Sequence, residues 1–130
     1  MNTKVYLAGG FKTDWQERVI KNFKDKNITF FNPKLHNLLA TEEYTLWDTH
    51  FVKECDILFA FMEKTNPSGY GLAFEVGIAK ALNKTIILVD EKSVENETFS
   101  RYFDIIRFSS GVSFNKLQDG IEYLKKFYVR

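Results

Sequence analysis

Short apolar runs alternate with amphipathic stretches from one end of this chain to the other, and that alternation restricts the fold more than any single residue does. Residues 5–8, 28–31, 57–62, 85–89 and 103–108 are apolar runs of strand length. Between and after them, residues 13–24, 41–55, 70–82, a shorter stretch at 97–102 and a last one at 114–127 carry apolar side chains at helical spacing. Strand and helix taking turns is the pattern of a parallel sheet covered by helices. Each crossover is long enough for a right-handed strand–helix–strand unit, which predicts five parallel strands in the order 2-1-3-4-5 with helices on both faces.

The breaks between runs have recognisable causes. Gly9-Gly10 ends the first strand, Asn32-Pro33 the second, and Asn66-Pro67-Ser68-Gly69 the third. All three follow the carboxyl end of a strand, the edge at which open α/β sheets bind ligands, so together they predict one pocket rim. With 130 residues, 45% of them apolar, there is material for one domain spanning residues 1–130 and its core, but not for two.

Composition removes several classes of function. A net charge of +1 offers no one-sided field for a nucleic-acid polymer. No run approaches the roughly 20 apolar residues needed to span a bilayer. The amino-terminal stretch has no signal-peptide pattern, and a single cysteine, Cys55, allows no internal disulfide, so a cytoplasmic location is expected. Cys55 lies between Glu54 and Asp56, which disfavours a reactive thiolate. His36 and His50 complete no zinc spacing with it, and both are expected on polar surface, with His50 close to Asp48 in sequence. The phosphate-binding loop of nucleotide triphosphatases, the dinucleotide fingerprint and the serine-hydrolase elbow are all missing.

Two acids stand out against this background. Glu75 is the only charged residue between Thr65 and Ala79, and its helical neighbours Gly71, Leu72, Ile78 and Ala79 are small or apolar. A carboxylate on such a face is either hydrogen-bonded structurally or kept for chemistry, unless it lies exposed at the helix start. Asp48 shares a helical stripe with Tyr44, Phe51, Val52 and Cys55, where it serves a site or pairs with a base such as Lys53. Tyr6 precedes the Gly9-Gly10 exit and reads either as core or as a phenol turned into the rim. Gly69-Tyr70-Gly71 opens a helix and would let a ligand approach backbone N–H groups there.

Val5-Tyr6-Leu7-Ala8-Gly9, Trp47-Asp48, Cys55-Asp56-Ile57-Leu58 and Gly71-Leu72-Ala73-Phe74-Glu75-Val76-Gly77-Ile78-Ala79 occur in the order of the nucleoside 2-deoxyribosyltransferase family, including its nucleoside 5'-monophosphate N-glycosidase branch, which this chain resembles. The resemblance implies a flavodoxin-like three-layer fold. It implies Glu75 as the catalytic nucleophile, Asp48 as an acid contacting sugar or base, and Tyr6 as the residue that orients the nucleophile. It also implies a nucleoside or nucleotide and a free base as small-molecule partners, no metal or organic cofactor, and homo-oligomers whose sites are completed by a neighbouring subunit.

Gly9, Gly10, Phe11, Trp47, Ser68, Gly69, Tyr70 and Gly71 are the expected substrate-binding residues, with Phe11, Trp15, Trp47 and Tyr70 as aromatics able to stack on a base, although each taken singly reads more readily as core. One position departs from the transferases: Gly69 stands where they commonly carry a second Asp, with Ser68 beside it, so hydrolysis competes with exchange as the expected activity. Two rivals stand beside this reading. A phosphoribohydrolase of the lysine decarboxylase-like type needs a P-G-G-x-G-T-x-x-E run that Pro67-Ser68-Gly69-Tyr70-Gly71-Leu72 does not supply. A nucleotide sensor that lost catalysis needs only the pocket.

Overall fold

A computed structural model describes residues 2–24 and 26–127. Five strands, β1 (Thr3–Gly9), β2 (Ile28–Phe31), β3 (Ile57–Met62), β4 (Thr85–Asp90) and β5 (Val112–Phe114), form one parallel sheet in the order β2-β1-β3-β4-β5. The fold is flavodoxin-like, in the strand order expected from the sequence. Helices α1 (Trp15–Lys21) and α5 (Leu117–Phe127) cover one face, and α2 (Thr41–Glu54), α3 (Tyr70–Ala81) and α4 (Glu97–Ser109) cover the other. Among the described residues no helix is long and apolar enough to cross a membrane.

Alternation along each central strand divides the core in two. Val5 and Leu7 of β1, Ile57, Phe59 and Phe61 of β3, and Ile87 and Val89 of β4 pack under α1 and α5. Tyr6 and Ala8, Leu58, Ala60 and Met62, and Ile86 and Leu88 pack under α2, α3 and α4. Because β3 is flanked on both sides and covered on both faces, all six of its residues are buried and it reads as a continuous apolar run. Tyr6 is therefore on the α2–α3 side by parity.

The fifth strand corrects the sequence reading. Residues 103–108, expected as a strand, are the middle of α4, and β5 follows at Val112–Phe114, where the last helix was expected to begin. The Asn96 side chain accepts from the N–H of Phe99 at 3.0 Å and starts the helix. Phe99, Phe103 and Ile106 then fall on one face at helical spacing and pack against the α2–α3 core, with the first two rings stacked at 4.8 Å. Arg107, from the supposed strand, reaches back to the buried Asp90 at 2.8 Å and also contacts Asp104, tying α4 to the end of β4.

Candidate active site

The site is built where β1 and α3 meet. Tyr6 is fully buried, and its hydroxyl donates to Glu75 Oε2 at 2.5 Å. Glu75, on the second turn of α3, is 8% exposed. Burial pushes the Glu75 carboxyl up to about 8; the hydrogen bond from Tyr6 opposes that rise and the charge of Asp48 adds to it. The same burial, followed by the charge of Glu75, raises the Tyr6 phenol far beyond its ordinary value, so it stays a donor.

Asp48 approaches from α2. Burial lifts its carboxyl above the usual range, with His36 and a hydrogen bond involving Tyr6 pulling the other way. Its Oδ1 lies 3.4 Å from His36 Nε2, yet is buried without a hydrogen bond. Tyr6, Asp48 and Glu75 are thus one electrostatic cluster, although β1, α2 and α3 supply one each. Trp47 covers it: its ring sits 6.4 Å from Tyr6, 4.9 Å from His36 and 4.5 Å from Phe51.

Around this cluster the strand exits behave as their residues require. Gly9 ends β1 so close to β3 that a side-chain carbon there would lie 2.5 Å from the Phe61 carbonyl oxygen. The Gly10 carbonyl accepts from Trp15 Nε1 at 2.9 Å and Gln16 Nε2 at 3.0 Å. Phe11 follows, exposed. After β3, the Asn66 side chain accepts from the N–H groups of Ser68 and Gly69 at 3.2 and 3.1 Å. Gly69 takes the left-handed conformation, φ 74°, as the cap of α3, and a β-carbon there would meet Met62 Cε and Sδ at 2.8 Å. Ser68, Tyr70 and Gly71 are exposed at the helix start.

One expectation, for His36, fails here, and Trp15 takes the core reading. Trp15 is not a rim aromatic: it is buried in the α1–α5 layer, 5.4 Å edge-on from Phe61, because its indole N–H turns to the Gly10 carbonyl. His36 is not on polar surface: its side chain is 9% exposed and wedged between Trp47 and Asp48. His50 is exposed as expected, and Cys55 is buried with its thiol pushed up to about 11 by that burial.

The sequence reading missed His36 as part of the site, and it placed Asn66 on the rim without giving it the role of holding the turn. His36 lies just beyond the flagged Asn32-Pro33 exit, and the Asn-Pro-Ser-Gly string is itself an Asx-turn signal. A groove of about 1000 Å3, bordered by Thr13, Trp15, Glu63 and Leu117, lies in the α1–α5 layer, across the sheet from Glu75. Among the described residues no three His, Cys, Asp or Glu side chains gather closely enough to hold a metal ion.

A buried carboxylate held by a strand tyrosine, with a second acid from the preceding helix, is the arrangement expected from the motif order, and the sequence profile of the "nucleoside 2-deoxyribosyltransferase like" family matches residues 2–93. The chain belongs to that family. Solved structures share its fold. A 2-desoxiribosyltransferase from Leishmania mexicana superposes with a TM-score of 0.74 at 16% identity, covering 97% of this chain and 99% of its own. A conserved protein from Enterococcus faecalis V583 gives 0.70 at 19% identity, covering 97% and 99%. A Clostridium botulinum CMP N-glycosidase gives 0.63 at 22% identity, covering 96% and 100%. No protein of curated function matches the chain in a sequence search.

Proposed function

We propose that this protein breaks the N-glycosidic bond of a nucleoside or nucleotide by forming a glycosyl ester on Glu75, in one catalytic unit spanning residues 1–130. The observation that carries the reading is the 2.5 Å hydrogen bond from Tyr6 to Glu75 Oε2 in a buried setting next to Asp48. With Oε2 held, Oε1 is the oxygen free to attack C1' of the sugar. The bond to the base breaks through an oxocarbenium-like state, and capture by the carboxylate gives the ester. Asp48 protonates the departing base. Water then attacks C1' and releases Glu75, or a second base does so and completes an exchange; both outcomes retain configuration.

Hydrolysis of 5'-monophosphates is the branch that a specific observation favours. The left-handed Gly69 occupies the position of the second transferase acid, and the Asn66-held turn presents Ser68 with the first N–H groups of α3, an arrangement suited to an anion. We assign Ser68, Gly69, Tyr70 and Gly71 to the 5' group, and Gly9, Gly10, Phe11 and Trp47 to the sugar and base. The description of the botulinum neighbour as a CMP N-glycosidase agrees with this choice. No metal or organic cofactor enters these steps. A lone buried thiol suits a reducing cytoplasm. Exposed apolar side chains on α3 and α4 support a homo-oligomer.

A 2'-fluoro-2'-deoxynucleoside 5'-monophosphate tests the reading, since fluorine destabilises the oxocarbenium-like states and slows release of the ester. Mass spectrometry is expected to place the sugar on Glu75. Glu75→Gln is expected to lose the label and to lower turnover by at least ~10^3-fold with the fold unchanged by circular dichroism. Label on another residue, or wild-type turnover in the variant, sinks the assignment.

A further inference from the structure

His36 occupies the turn after the short helical segment Pro33–Leu35, and its ring is held from two directions. On one side Nδ1 accepts the backbone N–H of Leu38 at 3.0 Å. An imidazole nitrogen that accepts carries no proton, so the ring's proton is on Nε2. On the other side Nε2 faces Asp48 Oδ1 at 3.4 Å, and Trp47 fixes the ring plane edge-on at 4.9 Å. Oδ1 is cut off from water and has no formed hydrogen bond, which makes it a buried acceptor facing a nitrogen able to donate at 3.4 Å.

We propose that His36 is the positioning residue for the acid of this site. Its Nε2–H engages Asp48 Oδ1, so the carboxyl keeps its proton on Oδ2, and from Oδ2 it is delivered to the departing base. The inference rests on the proposed glycosidic reaction and adds to it the direction of proton transfer. In the first half-reaction the electron pair of the C1'–N bond goes to the base nitrogen, the Oδ2–H bond breaks as the base N–H bond forms, and Glu75 oxygen bonds to C1'. Asp48 is left as a carboxylate facing the His36 N–H, a charge-assisted bond stronger than the one before transfer. In the second half-reaction water attacks C1', its proton returns to Oδ2, and Glu75 leaves as a carboxylate.

A residue acting only by packing would affect all substrates alike; a residue acting through the acid affects those whose base needs a proton. The test uses 2'-deoxynucleoside 5'-monophosphates in pairs: guanine against N7-methylguanine, which is positively charged in the substrate and so leaves as a neutral base without taking a proton, and uracil against the less basic 5-fluorouracil. His36→Phe keeps an aromatic ring beside Trp47 and removes the donor. We expect it to lower kcat by about 10- to 100-fold on guanine or uracil substrates, and by less than about 3-fold on the N7-methyl substrate, with KM within about 3-fold throughout. His36→Gln, which retains an N–H, should recover most of the loss. Asp48→Asn should show the same leaving-group pattern, and the double variant should be no slower than Asp48→Asn within about 3-fold. Nitrogen-15 NMR of the wild type, which needs no substrate, should show the Nε2–H tautomer at His36.

Equal losses on every leaving group, additive losses in the double variant, or an Nδ1–H tautomer would each overturn the role of His36 while leaving the reaction at Glu75 standing. A wild type that releases no base from any of the four substrates overturns the reaction itself and the proton delivery with it.

Discussion

Glu75 has a folded-state pKa well above that of a free carboxyl, and the sign of that shift has two measurable consequences. The folded protein binds the Glu75 proton more tightly than the unfolded chain does. The stability this contributes is fully present below the unfolded value, near 4.5, and is lost as the pH rises through about 8. The loss is on the order of a few kcal/mol. Glu75→Gln removes the titrating group, so its Tm is expected to match the wild type near pH 5 and to exceed it by several degrees at pH 9. A constant difference across that range would contradict the buried assignment. For activity the sign reverses, because the nucleophile must be ionised: with an N7-methylguanine leaving group, kcat/KM should fall as the pH drops below about 8. Tyr6→Phe removes the hydrogen bond that holds the Glu75 pKa down, so it should move that limb to higher pH and lower kcat by about 10- to 100-fold. An unmoved limb would mean that Tyr6 does not act through Glu75.

At the level of elements, the turn between β3 and α3 is where the proposed preference for hydrolysis over exchange is open to test. Gly69 caps α3 in a left-handed conformation and sits against Met62, so restoring an acid there imposes backbone strain and a steric contact. Gly69→Asp is expected to cost about 1–2 kcal/mol in denaturant unfolding and to produce no base exchange. Gain of exchange without loss of stability would show that the turn tolerates the acid. The position of Gly69 was legible in the sequence, but its conformation was not, since φ depends on the Asn66 side chain holding two N–H groups in the folded loop. The strand order and four of the strands were readable because β1, β3 and β4 are buried runs flanked by Gly, Pro and Asn. The fifth strand was misread because Phe103, Ile105, Ile106 and Phe108 form an apolar cluster whose helical face shows only when Phe99 and the Asn96 cap are included. Glu75 and Asp48 stood out as acids among apolar neighbours. His36 did not, because a short turn after β2 has no periodicity to reveal which way a side chain faces.

For the molecule as a whole, the layer that holds the cluster also carries most of the exposed large apolar residues. Tyr70 and Phe74 stand one turn apart on α3, the helix of Glu75, while Tyr102, Ile105 and Phe108 line the outer side of α4, which packs beside it. Burying side chains of this size yields about 1.5–3 kcal/mol each when they leave water fully, a driving force that works against the cost of association. The opposite layer has no comparable stripe on α1, whose outward positions are Glu17, Arg18 and Lys21. Self-association through α3 and α4 would bring a second copy against the helix that presents Glu75. Sedimentation velocity of the wild type at micromolar concentration is therefore expected to show a dimer or larger species. Ile105→Asp with Phe108→Asp should shift it to monomer with little change in the Tm of the isolated fold, because both side chains are exposed in a single copy. If the neighbour completes the site, specific activity should fall with the loss of association and should fall in the wild type on dilution. A monomeric wild type with concentration-independent activity would show that one copy suffices and that the stripe serves another purpose.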